Sequence, residues 1–212
     1  MAQRLISHIP SALLAALGLL AIAATGFALL AMRTRRARQA AEHAALTDPL
    51  TGLANRPAFY HRLAVEWERA IRYERPIGVI VLDLDGFKEV NDAHGHAAGD
   101  EVLRQVGAGL GRRIRASDLV ARLGGDEFAV LAPETPGPGL AALAELVRGV
   151  VDGLPVGVST GWAEREHADP EARAMVCRAD EAMYANKARR ASASPRVSGP
   201  APAVAVGALP QG

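Results

Sequence analysis

Two glycines followed directly by two carboxylates, Gly124-Gly125-Asp126-Glu127, form the most informative stretch of this sequence. Glycine tolerates the positive φ angles of a tight hairpin turn, so the flanking segments are predicted to be paired strands. Because glycine has no Cβ, a phosphate or a sugar could also approach the turn closely. Asp126 and Glu127 offer the hard oxygen ligands that Mg²⁺ prefers. Taken alone, the string is equally consistent with a surface hairpin whose acids are solvated.

A second acidic segment precedes it in the chain. Residues 76–83 are apolar and β-branched and end in Asp83, which predicts a buried central strand. A carboxylate at the end of such a strand is destabilising unless a cation or hydrogen bonds compensate it. The Asp-Gly pair that follows raises the alternative of an EF-hand calcium loop. With Gly86 at the sixth loop position, the first would be Val81 and the last Asp92 instead of a glutamate, so this alternative is rejected.

Composition sets outer bounds on the function. A chain of 212 residues has room for one catalytic-size domain and appendages. A net charge of +1, with 22% charged residues, gives no electrostatic reason to expect a nucleic-acid polymer as partner. The single cysteine, Cys177, excludes an internal disulfide and is expected to pack within a helix.

An uncharged run over residues 9–32, rich in Leu, Ala and Ile, has the length of a membrane span, for which about 20 residues suffice. Arginines follow at 33, 35, 36 and 38, against Arg4 before the run. The positive-inside bias therefore predicts a single-pass inner (cytoplasmic) membrane protein with residues 1–8 outside and the rest in the cytoplasm. A cleaved signal peptide is the alternative, disfavoured because the basic cluster follows the apolar run.

Hydrophobic periodicity indicates the elements that must position the acids. The expected order is helix 55–73, strand 76–83, helix 98–114, strands 119–123 and 127–132, helix 139–151, strand 155–160 and helix 170–189. This alternation around a central hairpin predicts an α+β fold, a ferredoxin-like or palm-type sheet flanked by helices, preceded by one transmembrane helix. The other expected segments are a helical linker at 33–46, the main domain at 47–190 and a disordered tail at 191–212.

Four motifs in this order resemble the GGDEF family, the diguanylate cyclases. They are the glycine turn with its acids, the segment from Asp83 to Asp100, the string Asp48-Pro49-Leu50-Thr51-Gly52-Leu53, and the string Ala179-Asp180-Glu181-Ala182-Met183-Tyr184. The resemblance covers roughly residues 44–190 and implies that Asp83 and the glycine turn lie on neighbouring strands.

The resemblance implies an enzyme that condenses two GTP into cyclic di-GMP and releases two pyrophosphates. Since one site holds one GTP and the attack is reciprocal, a homodimer is implied as well. Transfer at phosphorus depends on positioning and charge neutralisation, which paired metals supply. The expected cofactor is two Mg²⁺ (or Mn²⁺) per active site, held by Asp83, Asp126 and the Leu84 carbonyl. Glu127 is ligand or general base, and the sequence does not decide between the two.

Substrate contacts are also implied by the resemblance. Asn91 and Asp100 resemble the guanine readers of the family, although helix capping is the alternative for Asp100. His96 is a neighbour of the substrate or a structural turn residue. Lys88 and Lys187 could each neutralise phosphate oxygens, as charged donors do. Gly124 and Gly125 would receive the substrate at the turn.

The resemblance is incomplete after the last lysine. Family members usually continue with Gly-Arg-Asn and a closing strand, whereas this chain has Ala188-Arg189-Arg190. Arg190 or Arg189 is expected to take over the contact with the triphosphate. A weak or inactive module that senses GTP or cyclic di-GMP therefore remains an alternative, as does a scaffold that only mediates protein contacts.

One more string, Arg115-Ala116-Ser117-Asp118, lies shortly before the glycine pair. At this offset it resembles the inhibitory site of the family, in which Arg115 and Asp118 would bind the product cyclic di-GMP. A helix-end arginine near backbone carbonyls is the alternative.

Overall fold

The computed structural model describes Leu20, residues 24–34 and residues 46–193. The chain divides into two units, residues 1–45 and residues 46–212. The second unit contains every element named below.

Five strands of the described chain form one mixed sheet: β1 (Ala54–Asn55), β2 (Ile77–Asp85), β3 (Leu119–Gly124), β4 (Glu127–Pro133) and β5 (Gly157–Glu164). Their order across the sheet is β1-β3-β4-β2-β5, which places β2 near the centre and β5 at an edge. Strand β1 runs parallel to β3, and the other neighbours are antiparallel. The strand that carries Asp83 is thus enclosed between two others.

Helices cover both faces of this sheet: α1 (Arg56–Tyr73), α2 (Phe87–His94), α3 (His96–Arg113), α4 (Gly137–Arg148) and α5 (Ala172–Ala193). Alternate β2 side chains point to opposite faces. Val79 packs with α1 and α5 around Phe59 and Met183, and Ile80 packs with α3 and α4 around Leu110. Burial on both faces explains why β2 is a continuous apolar run.

The five-stranded sheet flanked by helices confirms the α+β part of the expected fold class. Two elements were missed, β1 and α2. Strand β1 has only two residues, which are too few to show the alternation of apolar and polar residues that predicts a strand. The sequence analysis assigns the segment of α2 to no element, whereas Gly86 and Gly95, at φ of 82° and 81°, delimit a short helix between them.

The membrane prediction is wrong. No helix in the described part of the chain is both long enough and apolar enough to cross a membrane, and this finding overturns the single-pass inner-membrane localisation. The predictions of a helical linker and of a disordered tail fall largely outside the described residues. The residues not described are 1–19, 21–23, 35–45 and 194–212.

Candidate active site

The two acidic segments meet at one end of the sheet. The antiparallel register of β2 and β4 places Asp83 directly opposite Glu127, and residues in such a pair project from the same face. The Leu84 amide donates to the Asp126 carbonyl at 3.3 Å. The register therefore brings Asp83 beside Glu127, while Asp126 contacts the neighbouring strand through its backbone carbonyl.

The glycine turn leaves open space beside these acids. Gly124 and Gly125 adopt φ of 150° and 51°, which other residues rarely adopt, and the strand register shifts by a bulge between Arg122 and Gly124. A Cβ built on either glycine would meet no atom within 4 Å. The glycines are thus required by the backbone conformation, and the space in front of them is accessible to a ligand.

Arg122 holds this turn, and the sequence analysis did not assign it a role. Its Nε and Nη2 both donate to the Gly125 carbonyl, at 3.0 and 2.8 Å, and its Nη1 contacts both carboxylate oxygens of Asp48 at 3.2 Å. Asp48 also accepts from the Thr51 amide and hydroxyl, at 2.9 and 2.7 Å. Burial acts to raise the pKa of Asp48, but these bonds from Thr51 and Arg122 outweigh it and lower that pKa. The position of the arginine just before the glycine pair was the available signal.

Electrostatics at the turn favour a cation. Burial, followed by the nearby negative charge of Asp83, raises the pKa of Glu127; Asp180 on α5 adds to this effect. Burial also raises the pKa of Asp126, again with a contribution from Asp83. Asp180, which belongs to the last of the four motifs, is a further residue to which the sequence analysis gave no role. A divalent ion would relieve the repulsion among these carboxylates.

Lys187 lies among the acids. Its Nζ forms an ion pair with Asp83 and lies 3.8 Å from Asp85 Oδ1. The hydrogen bond to Asp83 raises the pKa of Lys187. Asp85 is fixed by the Ser159 hydroxyl, which donates to both of its oxygens at 2.9 and 2.8 Å. The lysine predicted as a phosphate contact therefore neutralises Asp83, a proposed metal ligand, in this structure.

The position of Lys187 is set by how closely α5 approaches the sheet. A Cβ on Gly161 of β5 would lie 2.1 Å from the Ala179 carbonyl and 2.2 Å from the Met183 amide. Only a glycine allows this contact between strand and helix. Met183 is fully buried, and Lys187 follows it by one helical turn on the same face.

The predicted guanine readers lie on the two helices that follow β2. Asn91 belongs to α2 and Asp100 to α3, whose N-cap is Gly95; because Asp100 lies inside the helix, it is not the cap. The two helices pack so closely at Gly99 that an added Cβ would lie 2.0 Å from Asn91 Oδ1. Both side chains are half-buried.

Two further predicted substrate contacts also lie on these helices. Lys88 occupies the first turn of α2 and His96 the first position of α3. Both are exposed.

The carboxylate oxygens of Asp83, Asp126 and Glu127 are suitable ligands for a divalent metal, although they do not form a complete coordination site. Within the described residues, no three His, Cys, Asp or Glu side chains are grouped closely enough to hold an ion. The carboxylates of Asp83 and Glu127, which lie opposite each other, nevertheless offer the hard oxygen donors that Mg²⁺ prefers.

Arg115 and Asp118 lie apart from the acids. Arg115 and Ser117 line a cleft of about 610 Å³ together with Arg62, Glu66 and Arg69 of α1. Asp118 is almost buried, and its Oδ1 accepts from the Ser117 hydroxyl at 3.2 Å. The structure therefore places Arg115, but not Asp118, in the lining of the cleft.

A profile described as "Diguanylate cyclase, GGDEF domain" matches residues 45–193. The chain belongs to the GGDEF family. This confirms the resemblance drawn from the four motifs. The match covers the folded part of the described residues, from just before β1 to the end of α5.

Curated relatives share this GGDEF domain. Diguanylate cyclase DgcP of Pseudomonas aeruginosa is 40% identical over 155 residues, which is 69% of this chain and 23% of that protein. Response regulator PleD of Caulobacter vibrioides is 37% identical over 155 residues, 68% of this chain and 34% of that protein. The chain thus spans about a quarter to a third of the length of these relatives.

A solved structure supports the fold of the GGDEF domain. The coiled coil and GGDEF domain of DgcB from Caulobacter crescentus, crystallised in complex with cyclic di-GMP, aligns with a TM-score of 0.75 at 33% identity. The alignment covers 81% of this chain and 95% of that one.

Proposed function

We propose that this GGDEF protein is a diguanylate cyclase, which condenses two GTP into cyclic di-GMP and releases two pyrophosphates. The observation that best supports the proposal is the opposition of Asp83 and Glu127 across β2 and β4, beside an open glycine turn. Curated diguanylate cyclases at about 40% identity add support. In this reaction the 3′-hydroxyl of each GTP attacks the α-phosphorus of the other, so the active form is a homodimer.

GGDEF diguanylate cyclases generally use divalent metal ions. Asp83, Asp126 and the Leu84 carbonyl would hold two Mg²⁺ (or Mn²⁺) per site, with Glu127 as ligand or base. When bound, these ions neutralise phosphate charge and make the hydroxyl more acidic. Because burial and Asp83 raise the pKa of the Glu127 carboxylate, it becomes a better acceptor for the proton of the 3′-hydroxyl.

The remaining residues bind and orient the nucleotide. Asn91 and Asp100 read the guanine edge, with His96 beside it. Gly124 and Gly125 let the phosphates approach the backbone. Lys88, Lys187 and Arg190 neutralise phosphate oxygens, and Lys187 exchanges Asp83 for phosphate when the nucleotide arrives.

The activity is tested on the full chain with GTP and Mg²⁺ or Mn²⁺, with cyclic di-GMP measured by chromatography and mass spectrometry. Wild type should form the product and Glu127→Gln should not. Glu68→Gln, an exposed acid on α1, is the matched control and should behave as wild type. Absence of product with either metal from a folded wild-type protein contradicts the proposal.

A sensor that binds GTP or cyclic di-GMP without turnover is the second candidate. The replacement of Gly-Arg-Asn by Ala188-Arg189-Arg190 and the ion pair between Lys187 and Asp83 favour it. Saturable nucleotide binding in the absence of product would identify this case.

A product-binding site is also part of the proposal. Arg115 faces the cleft beside α1, and with Asp118 it would bind cyclic di-GMP. Bound product would then inhibit further turnover.

A further inference from the structure

Two carboxylates of β2, those of Asp83 and Asp85, project from the same face of the strand because they are two residues apart. At about 3.3 Å per residue, they lie roughly 6–7 Å from each other along the strand. The proposed cyclase mechanism uses Asp83 as a metal ligand and gives Asp85 no role. Both side chains are partly accessible, with exposed fractions of 15% for Asp83 and 29% for Asp85.

Strand β5 fixes the orientation of the Asp85 carboxylate. The hydroxyl of Ser159, which is fully buried, donates to both carboxylate oxygens at 2.9 and 2.8 Å. Gly157 lies opposite Asp85 in the register, and a Cβ there would be 3.3 Å from the Asp85 Cβ. Among the described contacts, this carboxylate accepts hydrogen bonds from Ser159 alone, although an ionised carboxylate offers about four acceptor sites. Asp85 is therefore held in place with acceptor capacity to spare.

The ammonium of Lys187 lies between the two carboxylates. Its Nζ is paired with Asp83 and lies 3.8 Å from Asp85 Oδ1. Because an ammonium–carboxylate hydrogen bond has a length of about 2.8 Å, a movement of about 1 Å towards Asp85 would complete a second pair. The lysine side chain is flexible and 42% exposed, so it has room for this movement.

The other nearby cation leaves this position to the lysine. Arg190 Nη1 lies 4.0 Å from Asp85 Oδ2, on the oxygen that Lys187 does not approach. The same Nη1 donates to the Val158 carbonyl at 2.6 Å. Asp85 Oδ1 thus remains available to Lys187.

A cation that binds Asp83 has to displace Lys187 from it. An ammonium left beside a divalent ion would be repelled, since like charges at such distances interact unfavourably. Asp85 offers the displaced ammonium a carboxylate that Ser159 already orients. Such preorganisation reduces the cost of the exchange.

We propose that Asp85 is a positioning residue, which receives Lys187 when a divalent ion occupies Asp83. The lysine then stays beside the acids of the candidate active site, ready for the nucleotide. The inference rests on the metal site of the proposed cyclase. Asp85 is not a metal ligand in this arrangement, and its effect on metal binding passes through Lys187.

The test is calorimetric titration of the full chain with MgCl₂ in the absence of nucleotide. Asp85→Asn should weaken Mg²⁺ binding by about three- to fivefold, the effect of losing a partly exposed ion pair. In the Lys187→Gln background the same substitution should leave the Mg²⁺ affinity unchanged, because the residue that Asp85 receives is gone. Thermal unfolding establishes that each variant is folded.

Two further variants separate position from charge. Ser159→Ala releases the Asp85 carboxylate without removing its charge, and should also weaken Mg²⁺ binding when Lys187 is present. Asp92→Asn is the matched control, since Asp92 is an exposed acid on α2. It should bind Mg²⁺ as wild type does.

Equal losses from Asp85→Asn with and without Lys187 would show that Asp85 acts on the ion directly, which overturns the proposal. An equal loss in Asp92→Asn, or an unchanged affinity in Ser159→Ala, would reduce the effect to net charge and overturn it as well. So would the absence of Mg²⁺ binding to the folded wild type. Because no product is measured, these results are distinct from failure of the cyclase assignment, which would appear as missing cyclic di-GMP in the assay with GTP.

Discussion

The guanidinium of Arg122 joins the glycine turn to Asp48, with 2.8 Å from its Nη2 to the Gly125 carbonyl and 3.2 Å from its Nη1 to the carboxylate. Arg122 and Asp48 are both largely buried, at 15% and 17% side-chain exposure. The first motif of the chain thus fixes the position of the turn beside the acids. Asp48 therefore influences the position of the turn through Arg122.

Arg122→Gln should therefore displace the turn. We expect the free energy of unfolding to fall by about 1–3 kcal/mol, the range for a buried charged partner left unsatisfied, and cyclic di-GMP formation to fall at least tenfold. Asp48→Asn should have a similar effect. Chemical denaturation and product formation of the double variant provide the check, since coupled residues give less than the sum of the single effects. Strictly additive losses would show that the bridge does not position the turn.

The raised pKa of Glu127 makes a prediction about stability and pH. A carboxyl whose folded pKa lies above its unfolded value, 4.5 here, holds its proton more tightly in the folded state, so stability falls as pH rises through this interval. Without metal at neutral pH, Glu127→Gln should therefore unfold at a higher temperature than wild type, and the difference should vanish below pH 4. Thermal unfolding across pH is the measurement. Glu68→Gln should show no such gain, and a gain in both variants would contradict the electrostatic cause.

Lys187 competes with a cation for Asp83. We expect Lys187→Gln to bind Mg²⁺ more tightly than wild type in the absence of nucleotide, and to bind GTP more weakly. Calorimetric titration measures both. Lys88→Gln, on the exposed side of α2, should weaken GTP binding without tightening Mg²⁺. Unchanged Mg²⁺ affinity in Lys187→Gln would show that the ion pair does not shield the acid.

Close packing at Gly99 gives a matched pair of glycine variants on α3. Gly99→Ala puts a methyl group 2.0 Å from Asn91 Oδ1, which should destabilise the fold by about 1–3 kcal/mol and raise the KM for GTP. A Cβ on Gly111 meets no atom within 4 Å, so Gly111→Ala should stabilise by up to about 1 kcal/mol. Denaturant unfolding compares the two. A Gly99→Ala variant as stable as wild type, with unchanged KM, would place Asn91 outside the guanine site.

Arg115→Ala should weaken inhibition by added cyclic di-GMP. The concentration giving half-inhibition should rise at least tenfold, because a charged contact to phosphate or guanine is lost. Initial rates, taken before product accumulates, serve as the reference for each variant. Arg104→Ala is the control, and identical inhibition curves for all three proteins would assign the cleft no role in product binding.

The sequence predicted what depends on local pattern. The continuous apolar run of β2, the glycine pair of the turn and the helical period of the long amphipathic helices are all visible locally, and these elements appear in the structure near the expected bounds. Arg122 was missed because its contact with Asp48 spans 74 positions of the chain, and Asp180 because it acts on the distant Glu127; spacing alone does not show such contacts. The membrane span predicted from the apolar composition of residues 9–32 is wrong, because no helix in the described part of the chain is long and apolar enough to cross a membrane. The short helix α2 was missed because only Val90 among its eight residues is buried, so no apolar period shows.

The close contact between α5 and Gly161 of β5 restricts where residues can be inserted into the chain. Each residue of an α-helix turns the chain by about 100°, so a single-residue insertion between Met183 and Lys187 would swing the lysine away from Asp83 while the helix stayed anchored. An insertion of a full turn would restore the direction but overshoot the acid by about 5 Å. Changes of chain length between Met183 and Arg190 should thus impair the site, because Arg190 also bonds to the Val158 carbonyl of β5.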